Sequence, residues 1–171
     1  MVALALGGLS SCAGPNLWTD LTSVSTGQIH EGRVRQPARL RLRGVGYKVP
    51  ERWRFRGFQY GTDELVAALQ RAAARVHAAD RRAVLGVADF SRNRGGSSKW
   101  HNSHHSGRDV DIIFYTTDGA GKPLPPQDLD MMTFDDDGKP YVGKRDKDGY
   151  HDPAWAERRF DVRRNWEFIE A

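Results

Sequence analysis

An α+β domain, a small and mainly antiparallel sheet flanked by helices, is the fold class this sequence predicts, on three observations. Thr62–Ala79 carries helical periodicity. Two runs, Ala83–Ala88 and Asp109–Tyr115, have the length and apolar content of strands. The remainder is punctuated by Gly, Pro and turn residues. A chain of 171 residues with 39% hydrophobic and 10% aromatic content is long enough for one packed core.

The elements follow in chain order. Met1–Leu9 is almost wholly apolar and runs into Leu9-Ser10-Ser11-Cys12. It is far too short to span a bilayer as a helix. It resembles a bacterial lipoprotein signal, in which the cysteine is acylated and becomes the new N-terminus. The basic residues that precede such a run are missing, so the chain is expected to start inside a longer signal. The bland alternative is a frayed apolar end with an ordinary buried Cys12. As the only cysteine it forms no intramolecular disulfide.

Residues 13–45 read as a tether leading into a first strand, where Arg39-Leu40-Arg41-Leu42-Arg43 alternates with a solvated basic face. Gly44–Pro50 is turn chemistry. Trp53, Phe55, Phe58 and Tyr60 interleave with Arg52, Arg54 and Arg56. That alternation suits a half-buried edge strand, and also a surface that stacks nucleobases.

Thr62 is a good N-cap, and Asp63 and Glu64 fall in the first turn where the helix dipole favours negative charge. Leu65, Val66, Leu69, Ala72, Ala73 and Val76 form one apolar face, with His77 at its border as a core or boundary residue. Ala83–Ala88 reads as a central strand. Asp89–Lys99 is a polar loop holding Gly95-Gly96. In the next strand Val110, Ile112 and Phe114 share one face, and Asp109, Asp111 and Ile113 the other. Beyond Thr116 the chain is loop-rich. Asp135–Gly138 and Asp146–Gly149 resemble fragments of calcium loops but lack the ligand spacing, so they read as solvated turns. Asp161 is placed to cap a last helix carrying Trp166, Phe168 and Ile169, which looks unfinished at Ala171.

Net charge is +4, but unevenly spread. Glu31–Arg108 holds 17 Lys/Arg against 6 Asp/Glu, and Asp109–Ala171 holds 9 against 15. The basic half suggests a polyanionic partner: nucleic acid, anionic lipid or a carboxylate-rich cell wall.

The densest chemistry is His101-Asn-Ser-His104-His105-Ser-Gly107-Arg-Asp109-Val-Asp111. Imidazole nitrogen and carboxylate oxygen are the donors of a catalytic zinc. A core strand has little reason to carry two aspartates on one face unless a cation sits opposite. Gly107 lets the loop between His104 and Asp111 turn tightly. A His-rich polar loop without metal is the plain alternative.

Ser103–Ile112 resembles the His-(x)6-Asp signature of the LAS metallopeptidases, the group of lysostaphin, the D-Ala-D-Ala metallopeptidases and the hedgehog-type domain. More narrowly it is similar to the penicillin-insensitive murein endopeptidases, with Arg94-Gly95-Gly96, His101, His104, Asp109 and Asp111 in the family's order. The likeness covers residues 23–115 well and the rest loosely. It implies a hedgehog- or D-Ala-D-Ala-peptidase-like fold over residues 46–171, after a lipoprotein signal remnant at 1–12. It implies a Zn2+ ion on His104 and Asp111, with His101 as proton shuttle or oxyanion stabiliser and Asp109 and His105 supporting the ligands from behind. Trp100 stands where the family has Gly, and His105 where it has Gln.

The implied reaction is hydrolysis of peptide cross-links in peptidoglycan, between D-alanyl and meso-diaminopimelyl residues. The implied setting is the periplasm or the outer membrane, with acylated Cys12 as a lipid anchor, stem peptides as partners and no nucleic acid. The family's His-x-His, source of a third ligand and the general base, has no counterpart. The chain is therefore expected to be the N-terminal portion of a longer protein, incomplete and of doubtful activity alone; His151 is an alternative donor with no motif behind it. A non-catalytic wall-binding lipoprotein retaining half a metal site is one rival. A metal-dependent nuclease is the other, and it predicts salt-sensitive DNA binding.

Overall fold

The computed structural model describes residues 20–128, 131–142 and 153–171. Cys12, Asp146–Gly149 and His151 lie outside them. The class is α+β, as anticipated, but the strands are short and distributed over four small sheets. β1 (Val24–Thr26) and β2 (Arg33–Arg35) form an antiparallel ribbon. β3 (Ala38–Arg39) belongs to a second ribbon, and β4 (Arg43–Gly44) and β5 (Tyr47–Lys48) form a hairpin. A single turn of helix, α1 (Glu51–Arg54), leads to β6 (Tyr60–Gly61), which pairs with β3. Then come α2 (Asp63–Ala79), β7 (Leu85–Val87) and β8 (Ile112–Ile113). β9 (Thr116–Thr117) lies between β10 (Pro123–Leu124) and β11 (Arg159–Phe160), and α3 (Val162–Ile169) closes the described chain.

α2 forms where the sequence places it. The Thr62 hydroxyl accepts from the Leu65 N–H, and Asp63 and Glu64 sit at the positive end of the helix. Its buried face (Val66, Leu69, Ala73 and Val76) packs in one core with Leu85 and Val87 of β7 and with Tyr47 and Val49. Burial of each large aliphatic side chain there contributes about 1.5–3 kcal/mol. β7 is interior to the order β4-β5-β7-β8, parallel to β5 and antiparallel to β8, as a continuous apolar run demands. His77 is the expected boundary residue, its Nδ1 2.9 Å from the Ala83 carbonyl.

Three expectations need correction. The basic alternation is not one strand: Leu40 is buried but Leu42 is exposed, because the chain crosses from the β3 ribbon to the β4 hairpin between them. Residues 52–59 are not an edge strand; only Tyr60 joins one, as the first residue of β6. The turn α1 follows Pro50 and swings Trp53 into the core while Phe55 stays 85% exposed. The strand proposed over 109–115 shrinks to two residues, and Ile113 is its fully buried member.

α3 begins at its Asp161 cap, whose side chain accepts from Arg164 N. It ends at Ile169, where Glu170 N–H bonds to the Trp166 carbonyl, so its last turn closes. The buried Arg164 guanidinium joins that cap to the C-terminus of α2, bonding Asp161 and, at 2.5 Å, Asp80. Asn165 reaches back to both backbone groups of Tyr115. The hydrogen bonds of Arg82, and then of Arg164, hold the Asp80 carboxyl well below the usual carboxylate range. A depressed carboxylate stabilises above its unfolded pKa of about 3.9 and loses that contribution as pH falls further. Thermal melts from pH 6 down to pH 3 should therefore show a smaller drop in midpoint for Asp80→Asn than for the unaltered chain, and equal drops would refute the clamp.

None of the helices among the described residues is long and apolar enough to cross a membrane.

Candidate metal centre

The ladder between β7 and β8 extends past both strands. Ala88 N–H bonds the Asp111 carbonyl at 2.9 Å, and Asp111 N–H bonds the Asp89 carbonyl at 2.8 Å. Two aspartates 22 positions apart in sequence are thereby set side by side. On the other side, Phe90 N–H bonds Phe58 and Ser91 exchanges backbone bonds with Tyr60. That pairing lays the Arg56–Tyr60 segment beside the same site.

The loop from Arg92 to Asp111 then folds back over these strand ends. Gly95 and Gly107 both take positive φ, at 63° and 74°. At Gly95 no side chain fits, since a Cβ would lie 1.9 Å from the His105 carbonyl oxygen. The buried Ser91 hydroxyl donates to the His104 carbonyl and accepts from Gly107 N–H at 2.8 Å. Gly107 in turn receives Thr62 N–H on its carbonyl. Ser91→Ala leaves two backbone groups without partners, which costs about 1–3 kcal/mol. Denaturant melts should register that loss; an unchanged midpoint would show that Ser91 does not staple the loop.

His104 itself stands at φ 63°, a left-handed conformation costly for a side chain with a Cβ. Its N–H donates to Asp109 Oδ2 at 2.8 Å, which holds the residue there. The 4% exposed ring points Nε2 at Asp111 Oδ1, 3.3 Å away, and Nδ1 lies 3.5 Å from Asp109 Oδ2. The latter separation is a charge contact too long for a good hydrogen bond, and Nδ1 accordingly has no bonding partner.

His101 approaches from the other side, its ring 4.5 Å from that of His104 and edge-on to Phe58 at 5.3 Å. His101 Nε2 lies 2.8 Å from Asp89 Oδ2, and Arg56 Nη1 bonds the same oxygen at 2.8 Å. We assign the ring proton to Nε2, because a carboxylate only accepts. Nδ1 then turns its lone pair inward, 4.0 Å from Asp111 Oδ2.

His101, His104 and Asp111 each offer one donor atom, and all three atoms lie within 4.8 Å of one another. Each imidazole also has a carboxylate on its far side, Asp89 behind His101 and Asp109 behind His104. Such outer carboxylates orient metal-binding histidines and raise their basicity. Two nitrogens and an oxygen are a donor set for zinc. Zinc fits these residues.

The charges are coupled. Burial works against the charged form of His104, but the hydrogen bond and charge of Asp111, then the charges of Asp109 and Asp89, outweigh it and raise the pKa. Burial likewise opposes ionisation of Asp111, and the bond and charge of His104 overcome it, so Asp111 lies below the ordinary range. For the wholly buried Asp89 desolvation wins over His101 and Arg56, and its pKa rises.

His101, His104 and Asp111 are thus brought together, with Asp109 behind His104. His105 is placed elsewhere: its backbone bonds Ile29 and Gly96, and its buried Nε2 has no partner. Sequence reasoning missed Asp89, Arg56 and Ser91, reading the first and last as a polar loop. A carboxylate directly after an apolar central strand was the available signal for Asp89; Arg56 gave none.

Residues 25–162 match the sequence profile of a protein family described as penicillin-insensitive murein endopeptidase. No curated protein matches the chain.

Proposed function

The chain belongs to the penicillin-insensitive murein endopeptidase family, and from that premise we propose that it is a zinc-dependent peptidase of the cell envelope. It hydrolyses the peptide cross-links of peptidoglycan between D-alanyl and meso-diaminopimelyl residues. The observation that carries this reading is the convergence of two carboxylate-backed imidazoles and the Asp111 carboxylate within 4.8 Å.

His104 and Asp111 would hold the ion, with His101 Nδ1 facing the same point. A zinc ion bound there would supply Lewis-acid chemistry, polarising a scissile carbonyl and acidifying a water. The chain's own groups do the rest. Asp109 fixes the left-handed backbone of His104, and Asp89 fixes the tautomer of His101. Arg56 balances the buried Asp89 charge, so the site is not left with an unpaired carboxylate. His101 either completes the donor set or moves a proton. An acylated Cys12 would tether the enzyme beside its substrate, and the domain would take a hedgehog-like fold.

Purified sacculi treated with the zinc-loaded full-length protein should release monomeric muropeptides from cross-linked dimers, as resolved by chromatography. A chelator should stop the release and added zinc restore it. Dimers left intact by the loaded protein would overturn the reading in favour of a wall-binding lipoprotein.

A further inference from the structure

A second feature abuts the metal centre. Arg56, Phe58, Arg92, Ser98, Lys99 and Trp100 line most of a recess of about 450 Å³. Arg56 and Phe58 are the same residues that touch His101, the guanidinium at 3.3 Å and the ring at 5.3 Å, so recess and centre share a wall. Three cations line it and no carboxylate does. The charge of Arg56 is taken up by Asp89. Arg92 and Lys99 are solvent-facing and have no anionic partner among the described residues. Their field is therefore free to act on a ligand.

The remaining wall is an indole. Trp100 is 56% exposed, yet its ring is contacted by the Arg56 guanidinium, 4.7 Å from the ring centre, and by the Lys99 ammonium at 5.0 Å. Ser98 fixes the approach, its hydroxyl accepting from Trp100 N–H at 3.2 Å and His101 N–H at 3.1 Å. A large aromatic kept in solvent beside a cluster of metal-binding donors gains little from folding and much from contact with a ligand. Another cavity among the described residues, about 620 Å³, is lined by Phe114, Phe134 and the acidic run Asp135–Asp137, and would repel an anion.

We propose that this recess is a carboxylate subsite, in which Arg92 and Lys99 bind the free carboxylate next to the scissile amide nitrogen and Trp100 covers the adjoining aliphatic carbons. The inference rests on the peptidase reading for its substrate class. In a D-alanyl to meso-diaminopimelyl cross-link, the residue on the amine side carries such a carboxylate. Recognition through this group selects for cross-links whose amine-side residue ends in a free acid and against amidated ones.

The test uses the full chain, zinc-loaded, with N-acetyl-D-alanyl-D-alanine and its C-terminal amide as probes, binding being read by calorimetry and tryptophan fluorescence. The acid should bind about tenfold more tightly than the amide, the worth of one charge-assisted hydrogen bond. The double variant Arg92→Gln/Lys99→Gln should lose that preference, with zinc content and circular dichroism unchanged. On sacculi the same variant should show a raised KM with kcat retained. Equal binding of acid and amide by the unaltered chain, no binding of the acid, or a preference that survives the double variant would each overturn the subsite. A chain that fails to cut murein but keeps an Arg92- and Lys99-dependent acid preference sinks the peptidase reading alone.

Discussion

Asp111→Ala should abolish murein cleavage and cost more than about a hundredfold in zinc affinity, beyond what loss of an outer carboxylate costs. The reason is geometric. Asp111 lies 3.3 Å from His104 Nε2 and 4.0 Å from His101 Nδ1, so among the described residues it is the one carboxylate within 4.0 Å of both imidazoles. Its removal leaves two adjacent rings with no anion between them, while Asp89 and Asp109 remain behind. The fold should survive, because Asp111 joins the β7–β8 ladder through its backbone. Metal analysis on the purified variant, beside circular dichroism, gives the answer. Stoichiometric zinc with native affinity in Asp111→Ala would end the proposed centre. His101→Gln separates that histidine's two roles: a ligand loses metal with rate, whereas a proton carrier loses rate alone.

The largest effect on stability should come from Gly95→Ala. A methyl group there meets the His105 carbonyl oxygen at 1.9 Å and imposes a Cβ on a φ of 63°. The carbonyl has no room to yield, since it accepts Gly96 N–H at 2.9 Å while His105 N–H is bonded to Ile29 at 2.9 Å. The left-handed penalty is about 1–2 kcal/mol, and displacement of the loop brings the total to about 3 kcal/mol. Urea melts should show this as a lowered midpoint, with weakened zinc binding because the same loop carries His101 and His104. Gly119→Ala is the control, as nothing lies within 4 Å of its Cβ position. Equal midpoints for the two variants would show that the Gly95 turn is not under constraint.

The sequence made legible what depends on local pattern. The Thr62 cap and the apolar spacing of Leu65 to Val76 define α2, and a continuous apolar run marks β7 as interior. The cluster of His101, His104 and Asp111 was visible because its members lie within eleven residues, though the sequence reading made only His104 and Asp111 metal donors and His101 a proton shuttle or oxyanion stabiliser. What stayed hidden depends on chain crossings. The alternation at Arg39–Arg43 reads as a single strand, and only tertiary structure divides it between two ribbons. Pro50 starts a helical turn that inverts the expected pattern of Trp53 and Phe55. Asp89 becomes a partner of His101 through strand pairing, and Arg56 reaches it from a segment 33 positions earlier; neither distance has a local signature. His105 shows the converse, for sequence proximity to His104 does not bring its ring to the cluster.

The contorted backbone at His104 is sustained by Asp109, Ser91 and a glycine turn, all of them protein groups. The turn that presents the His104 ring is thus fixed by groups of the chain itself, and loss of any one of them should displace the ring while the rest of the fold stands. A donor ring held in this way owes its position to Asp109 and Ser91, so variants at those two residues should move His104 without touching Asp111.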